Sequence, residues 1–474
     1  MKRSAALLGL VLLLAAGGVF AFYHLTYPDI RTWDEGTNVD VVASSLEARS
    51  FPALVDWQGP FFEKPPLWWY LASTSVAVGG YNAFSLRFPA ALAGFVLILL
   101  VGLAGRRYYA LPGAAAAVLF LLACGHLFIF KPDGIFSTHH VRSADGDVVQ
   151  IAFMFGAFLA FGRFADGARS GLYAGALLTG LAVLTKGPLG FLPAVVFLIF
   201  QTISPRRVVI GRRPAAGAAL LLVAVVAPWH IYMLSRFGRG FFDEYFMHAI
   251  VHRATDTLEE HAAPWFYYLQ LLTGRKLCCS VELVALACVA PFFNRRRLAA
   301  YPAAAPLLSI GILMAVISSM ATKLAWYVLP LYPYAAVLVG GLFDSCWSLV
   351  WDRSRSLRSR MIPSVAALLM IGVVGLCAAR NLRDIVFLQR GWMQRFFERS
   401  IARCGDELVY ADAQLPGDLR YLLRRYRVPR GEPGASRCFI RWLDADPTPS
   451  SERACSRVDK AGHLALWECA GLER

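Results

Sequence analysis

Four stretches of charged and imidazole side chains interrupt a chain that is otherwise strongly apolar. They read TWDEGTNVD (32–40), GPFFEKPPLWWY (59–70), HHVRSADGDVV (139–149) and EYFMHAIVHRATDTLEEHAAPWFYY (244–268). A carboxylate can act as a general base, and lysine or arginine can bind a phosphate. Brought together, these residue types could activate a hydroxyl beside a leaving group that is a phosphate.

Each stretch also has a simpler interpretation when it is taken alone. Carboxylates beside a membrane segment are most often solvated loop residues, and lysines at helix ends, such as Lys186 and Lys323, commonly extend towards water. A loop histidine is more often a surface residue than a ligand. The chemical interpretation therefore requires that separate loops meet at one end of the molecule.

The elements that would have to position these residues are membrane helices. Of 474 residues, 57% are hydrophobic and only 17% are charged, and the mean hydropathy is +0.51. Soluble domains carry about a quarter charged residues, and an apolar run of roughly 18 residues or more is a candidate membrane helix. The fold class predicted is an all-α polytopic membrane protein with about eleven spans, near 5–24, 84–104, 109–130, 147–165, 170–185, 188–204, 215–235, 275–293, 300–320, 325–346 and 361–380.

The arginines predict the orientation of these spans. Short basic clusters alternate with the apolar runs, and all of them fall on one side if the eleven spans are right. They are Lys2/Arg3, Arg106/Arg107, Arg163/Arg169, Arg206/Arg207/Arg212/Arg213, Arg295/Arg296/Arg297 and Arg353/Arg355/Arg358/Arg360. Lysine and arginine mark cytoplasmic loops, so the N-terminus is expected in the cytoplasm. The net charge of +15 is explained by these clusters, and nucleic-acid binding is not expected.

The four polar stretches then share the opposite side, which is the periplasm in a cell with two membranes. A cleaved signal peptide is the rival interpretation of the N-terminus. However, its apolar stretch of about 19 residues exceeds the usual length of such a region, so a retained first helix is expected. The segment 67–80 (LWWYLASTSVAVGG) follows Pro65-Pro66 and is too short to span, and we interpret it as a helix lying in the membrane interface.

The composition changes after Arg380. Residues 381–474 carry many charges and four cysteines, Cys404, Cys438, Cys455 and Cys469. ELVYAD, RCFIRWL and HLALWEC alternate like strands, and GDLRYLLRRY is typical of a short helix. The chain is therefore divided into a membrane domain (1–380) and a small soluble periplasmic α/β domain (381–474). Disulfides are plausible in that compartment, and all three pairings of four cysteines remain open.

Several motifs resemble one family of membrane enzymes. They include WDEG (33–36), FFEKPPLWWYLASTSVAVGGYNAFSLRFPAALAG (61–94), RSADGDVVQIAFMF (142–155), LAVLTKGPLGFLPA (181–194), FMHAIVHR (246–253) and KLAWYVLPLYP (323–333). In order and spacing they resemble the glycosyltransferases that use polyprenyl-phosphate sugars, namely the aminoarabinose (lipid A) transferases and the dolichyl-phosphate-mannose protein mannosyltransferases. The resemblance covers about residues 25–340, and its most specific part is EKPP following DE.

The resemblance implies roles for individual residues. Asp34 would be the base that deprotonates the acceptor hydroxyl. Asp147 would be a second carboxylate that orients the acceptor or assists the base, and Asp145 is its rival for that role. Lys64 and Arg253 would bind the lipid-linked phosphate, with Lys186 as a third cation.

The resemblance also bears on metal use. Glu63 and His248 match positions that can hold a divalent metal, zinc or magnesium, in the aminoarabinose branch. The mannosyltransferase type does without one, so no cofactor is required by the resemblance and a metal remains an open alternative.

The chain departs from the aminoarabinose branch at three positions. Its DEGTN stands where that branch has DEPRY, so Thr37 replaces an arginine. Its HAIVHR stands where that branch has HEHFxR, so Ala249 replaces a glutamate. Phe61 replaces a tyrosine. The departures leave open which sugar is transferred and whether the acceptor is lipid A, another glycan or a protein.

The function expected is an inverting glycosyltransferase of the bacterial inner membrane. It would move a sugar from undecaprenyl phosphate, or a similar polyprenyl phosphate, to a hydroxyl or phosphate of a periplasmic acceptor, with membrane lipid as its other partner. A polytopic transporter or lipid-linked-sugar flippase is the alternative. Such proteins tend to show internal repeats and ionisable residues near the bilayer midplane, whereas the charges here lie mainly in loops. A non-catalytic scaffold is a third interpretation, but it has no need for Asp34 together with Lys64.

Overall fold

The computed structural model describes residues 2–31, 33–129, 138–205, 208–258, 261–273, 281–293, 300–351, 356–389, 391–410, 417–431, 438–442, 455–461 and 463–469. Of the basic clusters used to predict orientation, Arg206, Arg207, Arg295, Arg296, Arg297, Arg353 and Arg355 lie outside these residues.

Helices dominate the described part of the chain. In order they are α1 Lys2–Phe22, α2 Asp34–Ala48, α3 Leu67–Gly79, α4 Ala83–Tyr108, α5 Leu111–Ala123, α6 Gly125–Phe128, α7 Asp147–Ala165, α8 Ser170–Lys186, α9 Leu192–Ile203, α10 Arg212–Phe237, α11 Arg239–Phe241, α12 Arg253–Thr255, α13 Tyr267–Thr273, α14 Val281–Val289, α15 Tyr301–Ser319, α16 Leu331–Trp351, α17 Leu357–Val386, α18 Trp392–Cys404 and α19 Gly417–Tyr426. A π-helix, Phe242–His252, precedes α12, and short 3₁₀ helices lie at Pro188–Phe191, Ala290–Phe293, Ala325–Val328 and Gly405–Glu407.

Among the described residues, six helical segments are long and apolar enough to cross a membrane. They are Ala83–Tyr108, Asp147–Ala165, Arg212–Phe237, Tyr301–Ser319, Ala325–Trp351 and Arg360–Val386. Shorter apolar helices lie at Ala6–Phe22, Leu111–Ala123, Pro188–Ile203 and Val281–Phe292, and the weakly apolar span predicted at 170–185 is the helix α8. A polytopic helical fold is confirmed, while the number of eleven spans stays a prediction.

α2 begins at the first of the polar stretches. Trp33 precedes it with a positive φ of 67°, and the Thr37 N–H donates to the Trp33 carbonyl at 2.8 Å. Asp34 and Glu35 occupy the first turn, where carboxylates interact favourably with the helix dipole. Ten of the residues from Glu35 to Ser45 are buried, so α2 is an internal element and its first residue is held firmly.

A buried ion pair fixes the start of α2. The Arg87 Nε donates to Glu35 Oε1 at 2.8 Å, and both side chains are almost completely buried. The Glu35 carboxylate also accepts the backbone N–H groups of Arg31 and Ala144, each at 2.8 Å. Because a buried charge needs both a partner and hydrogen bonds, this arrangement ties α2, α4 and the loop before α7 together.

The loop before α7, residues 138–146, is buried although it has no regular structure. Arg142 donates to the carbonyls of Phe20 and His24 at the end of α1, at 3.2 and 2.8 Å, and the Asn38 amide donates to the Ala144 carbonyl at 3.0 Å. Buried backbone groups must be paired, and these bonds supply the partners. The loop is consequently a rigid part of the structure that presents its side chains inward.

α3 confirms the helix predicted at 67–80, to within a residue. It starts directly after Pro65 and Pro66, as expected for proline in or before a first turn. The side chains of Trp68 and Trp69 in its first turn are buried. Whether α3 lies in a membrane interface stays a prediction.

The C-terminal part contains the small α/β unit that the sequence predicted. Its sheet has the order β3-β4-β6-β5, where β3 is Leu408–Tyr410, β4 is Cys438–Trp442, β5 is Cys455–Ala461 and β6 is Leu464–Cys469. β3 and β4 are parallel and the other pairs are antiparallel. A disulfide joins Cys404 to Cys438. A separate two-stranded sheet pairs β1, Leu54–Val55, with β2, Pro60–Phe61.

The C-terminal unit packs directly on α2. One hydrophobic core includes Val39, Trp68 and Trp69 together with Phe396 and Leu419. The backbone of α19 approaches that of α2 so closely that a Cβ on Gly417 would lie 2.8 Å from the carbonyl carbon of Gly36. Arg424 of α19 also forms a 2.5 Å ion pair with the buried Asp40. The domain boundary at 381 stays a prediction, but the two parts share a core.

Candidate functional site

The first polar contact of the site joins two of the predicted stretches. The Lys64 Nζ donates to Asp34 Oδ1 at 2.9 Å. Both side chains are partly exposed, with 19% of Lys64 and 30% of Asp34 accessible. The carboxylate after the first helix and the lysine beside the double proline therefore meet, as the chemical interpretation of the sequence requires.

A histidine continues this contact to a third stretch. The His139 Nε2 lies 3.2 Å from Asp34 Oδ2, and its Nδ1 lies 2.6 Å from Asp147 Oδ2. Lys186 donates to the same oxygen of Asp147. A chain of alternating cation and carboxylate thus runs from Lys64 through Asp34, His139 and Asp147 to Lys186.

Asp145 has a different role from Asp147. Its carboxylate accepts the His139 backbone N–H and the Ser143 hydroxyl, each at 2.5 Å, and the Asp147 N–H at 3.3 Å. It is buried and bonded to its own loop. Of the two rival carboxylates, Asp147 is therefore the one in contact with the other charged side chains, while Asp145 shapes the loop.

The charges perturb one another's acidity. Burial alone would raise the pKa of Asp34, but the Lys64 ammonium and the His139 imidazole hold that pKa well below its usual range. Burial opposes the charge on His139, yet Asp147 and Asp34 raise its pKa to about 9. The pKa of Lys64 is raised by Asp34 despite burial. At neutral pH, Asp34 is thus an ionised carboxylate flanked by two cations.

The net pKa shift of Asp145 is opposite to that of Asp34. Burial raises the pKa of the Asp145 carboxyl to about 7, with the neighbouring Asp147 charge adding to the rise. A carboxyl that is surrounded by its own loop and faces another carboxylate is a poor anion. This agrees with a structural part for Asp145.

An apolar groove of about 560 Å³ opens from the Asp147–Lys186 end of the charged chain. Its walls come from α7, the 188–203 segment, α15 and the π-helix region, and most of the lining side chains are aliphatic. Arg253 and Tyr327 lie in the same groove, and the Arg253 guanidinium interacts with the Tyr327 hydroxyl. The groove therefore has polar groups at one place and an apolar length suited to a hydrocarbon chain.

Glu63 and His248, the predicted metal ligands, are both exposed. In the described part of the chain, the group of three or more possible ligands that lie close enough for one ion is instead His139, Asp145 and Asp147. This trio does not suit a metal, because Lys186 is bonded to Asp147 and both ring nitrogens of His139 face carboxylates. No step below depends on a metal.

Sequence reasoning missed His139, Trp326 and Tyr327. The imidazole of His139 stacks on the Trp326 indole, with centroids 4.0 Å apart and planes 15° apart. All three lie in stretches that were singled out, HHVRSADGDVV and KLAWYVLPLYP. However, nothing in those letters distinguishes His139 from its neighbour His140, whose Nδ1 accepts the backbone N–H of Arg142 in its own loop.

Comparison with known proteins agrees with this geometry. Residues 63–232 match the family described as dolichyl-phosphate-mannose-protein mannosyltransferase. An undecaprenyl phosphate-alpha-4-amino-4-deoxy-L-arabinose arabinosyl transferase of Pseudomonas fluorescens is 28% identical over 384 residues, which are 78% of this chain. The match spans 61% of that relative, so this chain corresponds to about three fifths of its length.

Solved structures share the fold. ArnT from Cupriavidus metallidurans, bound to undecaprenyl phosphate, superposes with a TM-score of 0.67 at 16% identity, covering 96% of this chain and 97% of that one. The archaeal oligosaccharyltransferase AglB from Archaeoglobus fulgidus gives a TM-score of 0.58 at 13% identity, covering 94% of this chain and 70% of that one.

The family match, the curated relatives and the shared fold agree with one another and with the charged chain beside an apolar groove. Over residues 63–232 the chain is similar to the dolichyl-phosphate-mannose-protein mannosyltransferases. Over a longer stretch it is similar in sequence to an arabinosyl transferase, and in fold to ArnT and AglB.

Proposed function

We propose that this protein transfers a sugar from a polyprenyl phosphate to a hydroxyl of an acceptor at the membrane surface, with inversion at the anomeric carbon. The observation that carries the proposal is the position of Lys186 and Arg253 in one apolar groove whose charged end continues to Asp34. The groove would take the lipid tail, and the cations at its polar end would take the phosphate.

Lys64, Lys186 and Arg253 are the proposed phosphate ligands. Charge develops on the phosphate as the bond to the sugar breaks, and preorganised cations stabilise such charge strongly. Lys186 and Arg253 line the groove, and Lys64 lies at the other end of the charged chain. We place the phosphate among these three cations, with the anomeric carbon of the sugar facing Asp34.

Asp34 is the proposed general base. It is ionised, partly exposed, and held between Lys64 and His139. As the acceptor oxygen bonds to the anomeric carbon, its proton goes to Asp34 and the electron pair of the breaking bond stays on the phosphate. A base of this kind contributes on the order of 10²–10⁴ in rate. A single displacement without a covalent intermediate is the reason for proposing inversion.

The location and the acceptor are proposals too. The basic clusters favour a bacterial inner membrane with the site on the periplasmic side. The relatives are named as arabinosyl transferases that use undecaprenyl phosphate-alpha-4-amino-4-deoxy-L-arabinose, and this compound is the first donor to test here. A transporter or flippase is not favoured, because the named relatives are transferases.

The test uses the full chain in lipid nanodiscs. We expect it to consume undecaprenyl phosphate-linked aminoarabinose, or a donor from a panel of undecaprenyl phosphate sugars, when membrane glycolipids and proteins are supplied as acceptors, and mass spectrometry would identify the product. Release of undecaprenyl phosphate coupled to sugar transfer supports the proposal. Movement of intact donor between leaflets without any transfer would overturn it in favour of the flippase.

A further inference from the structure

His139 connects the two carboxylates of the site. Its Nε2 meets Asp34 Oδ2 at 3.2 Å and its Nδ1 meets Asp147 Oδ2 at 2.6 Å. The ring is almost completely buried and stacks on Trp326. Contacts at both nitrogens and across the ring face therefore fix its position and orientation.

The backbone of His139 is constrained as well. Its φ of 65° lies in the left-handed region, which few non-glycine residues adopt because it is sterically unfavourable for them. The Asp145 carboxylate accepts its N–H at 2.5 Å. A costly conformation persists where the surroundings over-determine it, and here it directs the ring between the two carboxylates.

The contacts of Asp34 are divided between its two oxygens. Oδ1 accepts from Lys64 and Oδ2 faces His139. Lys64 has a long flexible side chain that a bound phosphate could attract, whereas His139 is enclosed. If a bound phosphate draws Lys64 away, Oδ1 becomes accessible while Oδ2 keeps its contact with His139.

We propose that His139 is a positioning residue that holds Oδ2 of Asp34 and thereby makes Oδ1 the atom that receives the acceptor proton. This inference rests on the proposed function, since it assigns the geometry of that base. The charged and titratable groups that face the ring are Asp34, Asp147 and Lys186, and the Lys186 Nζ lies 3.5 Å from Nδ1. Asp145 contacts His139 through the backbone N–H. Trp326 covers the remaining face.

Two substitutions separate the two ring nitrogens. The amide nitrogen of glutamine can occupy the position of Nε2, and that of asparagine the position of Nδ1. His139→Gln is thus expected to keep the contact with Asp34, and His139→Asn to keep the contact with Asp147. His139→Phe keeps a ring on Trp326 and removes both contacts.

The experiment measures transfer by the three variants in nanodiscs. We expect kcat of H139N and H139F to fall on the order of 10²-fold, because misplacing a reacting group by about an ångström can cost that much. H139Q should stay within about tenfold of the wild type. The KM for the donor should change less than about threefold in each of the three variants, because the proposed phosphate ligands remain.

The pH profile gives a readout that a merely structural role would not move. His139 lowers the pKa of Asp34 through its charge and through a hydrogen bond, so the acid limb of the kcat profile should shift to higher pH in all three variants. The shift should be smallest in H139Q, which loses the charge but keeps the hydrogen bond. His140→Asn is the matched control, because His140 is equally buried in the same loop but bonds within it. Thermal unfolding of each variant shows whether it is folded.

Equal kcat and an unmoved acid limb in H139N, H139Q and H139F would overturn the inference while leaving the proposed function intact. If H139N does not fold, kcat and the acid limb are compared between H139Q and H139F alone, and equal values in these two variants would overturn the inference. A wild type that transfers no sugar, or an Asp34→Asn variant with full activity, would instead overturn the proposed function.

Discussion

Lys64 and Asp34 form a 2.9 Å ion pair although 30 residues separate them in the sequence. The pair can form because both of its members are held in place. The buried Glu35–Arg87 pair fixes the first turn of α2, which contains Asp34. The buried tryptophans of α3 fix the segment that begins with Lys64 and Pro65-Pro66. In the absence of a donor, then, the proposed base and a proposed phosphate ligand neutralise one another. Binding of a phosphate should compete for Lys64 and release the carboxylate.

Asp34→Asn should reduce sugar transfer by on the order of 10²–10⁴, because the amide cannot accept the acceptor proton. Binding of undecaprenyl phosphate should persist within about tenfold, since the three cations remain. Mass spectrometry measures the loss of sugar transfer, and a fluorescence titration measures the binding of undecaprenyl phosphate. Asp243→Asn, at an exposed carboxylate paired with Arg239, is the control and should behave as the wild type. Full activity in D34N would remove Asp34 from the role of base.

Lys64→Ala should weaken binding of undecaprenyl phosphate about tenfold to a hundredfold, which corresponds to the loss of one hydrogen bond to a charged group. It should also raise the pKa of Asp34, because Lys64 is the largest influence that lowers it, so the acid limb of kcat should move to higher pH. Lys64→Arg keeps the positive charge, so it should lose less affinity for undecaprenyl phosphate and should shift the acid limb less. An affinity in K64A equal to that of the wild type would assign Lys64 to structure alone.

Much of this architecture follows from the sequence because hydropathy and charge act locally. Apolar runs predicted the helices α4, α7, α10 and α15, and the double proline predicted the start of α3. In the tail, strand alternation predicted β4 and β6, and the segment GDLRYLLRRY predicted α19. The prediction that Asp34 and Lys64 meet came from placing both stretches on one side of the membrane.

The remaining features depend on tertiary packing. His139 stands in an irregular loop, where no periodicity tells which side chain points inward, and its role arises from bonds to residues on α2 and α7. The core shared by α2 and the C-terminal unit was also missed, since neither segment contains a pattern that names its partner. The cysteine pairing was open for the same reason, until the structure joined Cys404 to Cys438.

The stability of the protein should fall as the pH rises from about 6.5 to about 9. The pKa of His139 is raised from 6.5 to about 9 in the folded state, so its contribution to the free energy of unfolding is complete below pH 6.5 and is lost as the pH passes through 9. A shift of this size corresponds to on the order of 3 kcal/mol. Thermal unfolding in detergent from pH 6 to 10 measures the slope, which should be smaller in H139Q. Equal slopes in the two proteins would exclude His139 as its source.

Gly417→Ala should lower both the unfolding temperature and the rate of transfer, although residue 417 touches no charged member of the site. A Cβ there would lie 2.8 Å from the carbonyl carbon and 3.0 Å from the Cα of Gly36, and overpacking of this kind costs typically 1–3 kcal/mol. Since Gly36 is two residues after Asp34, separating α19 from α2 should displace the proposed base. Gly375→Ala, whose Cβ would meet nothing within 4 Å, is the control. If G417A loses stability but transfers sugar at the wild-type rate while folded, the C-terminal unit supports the fold without positioning Asp34.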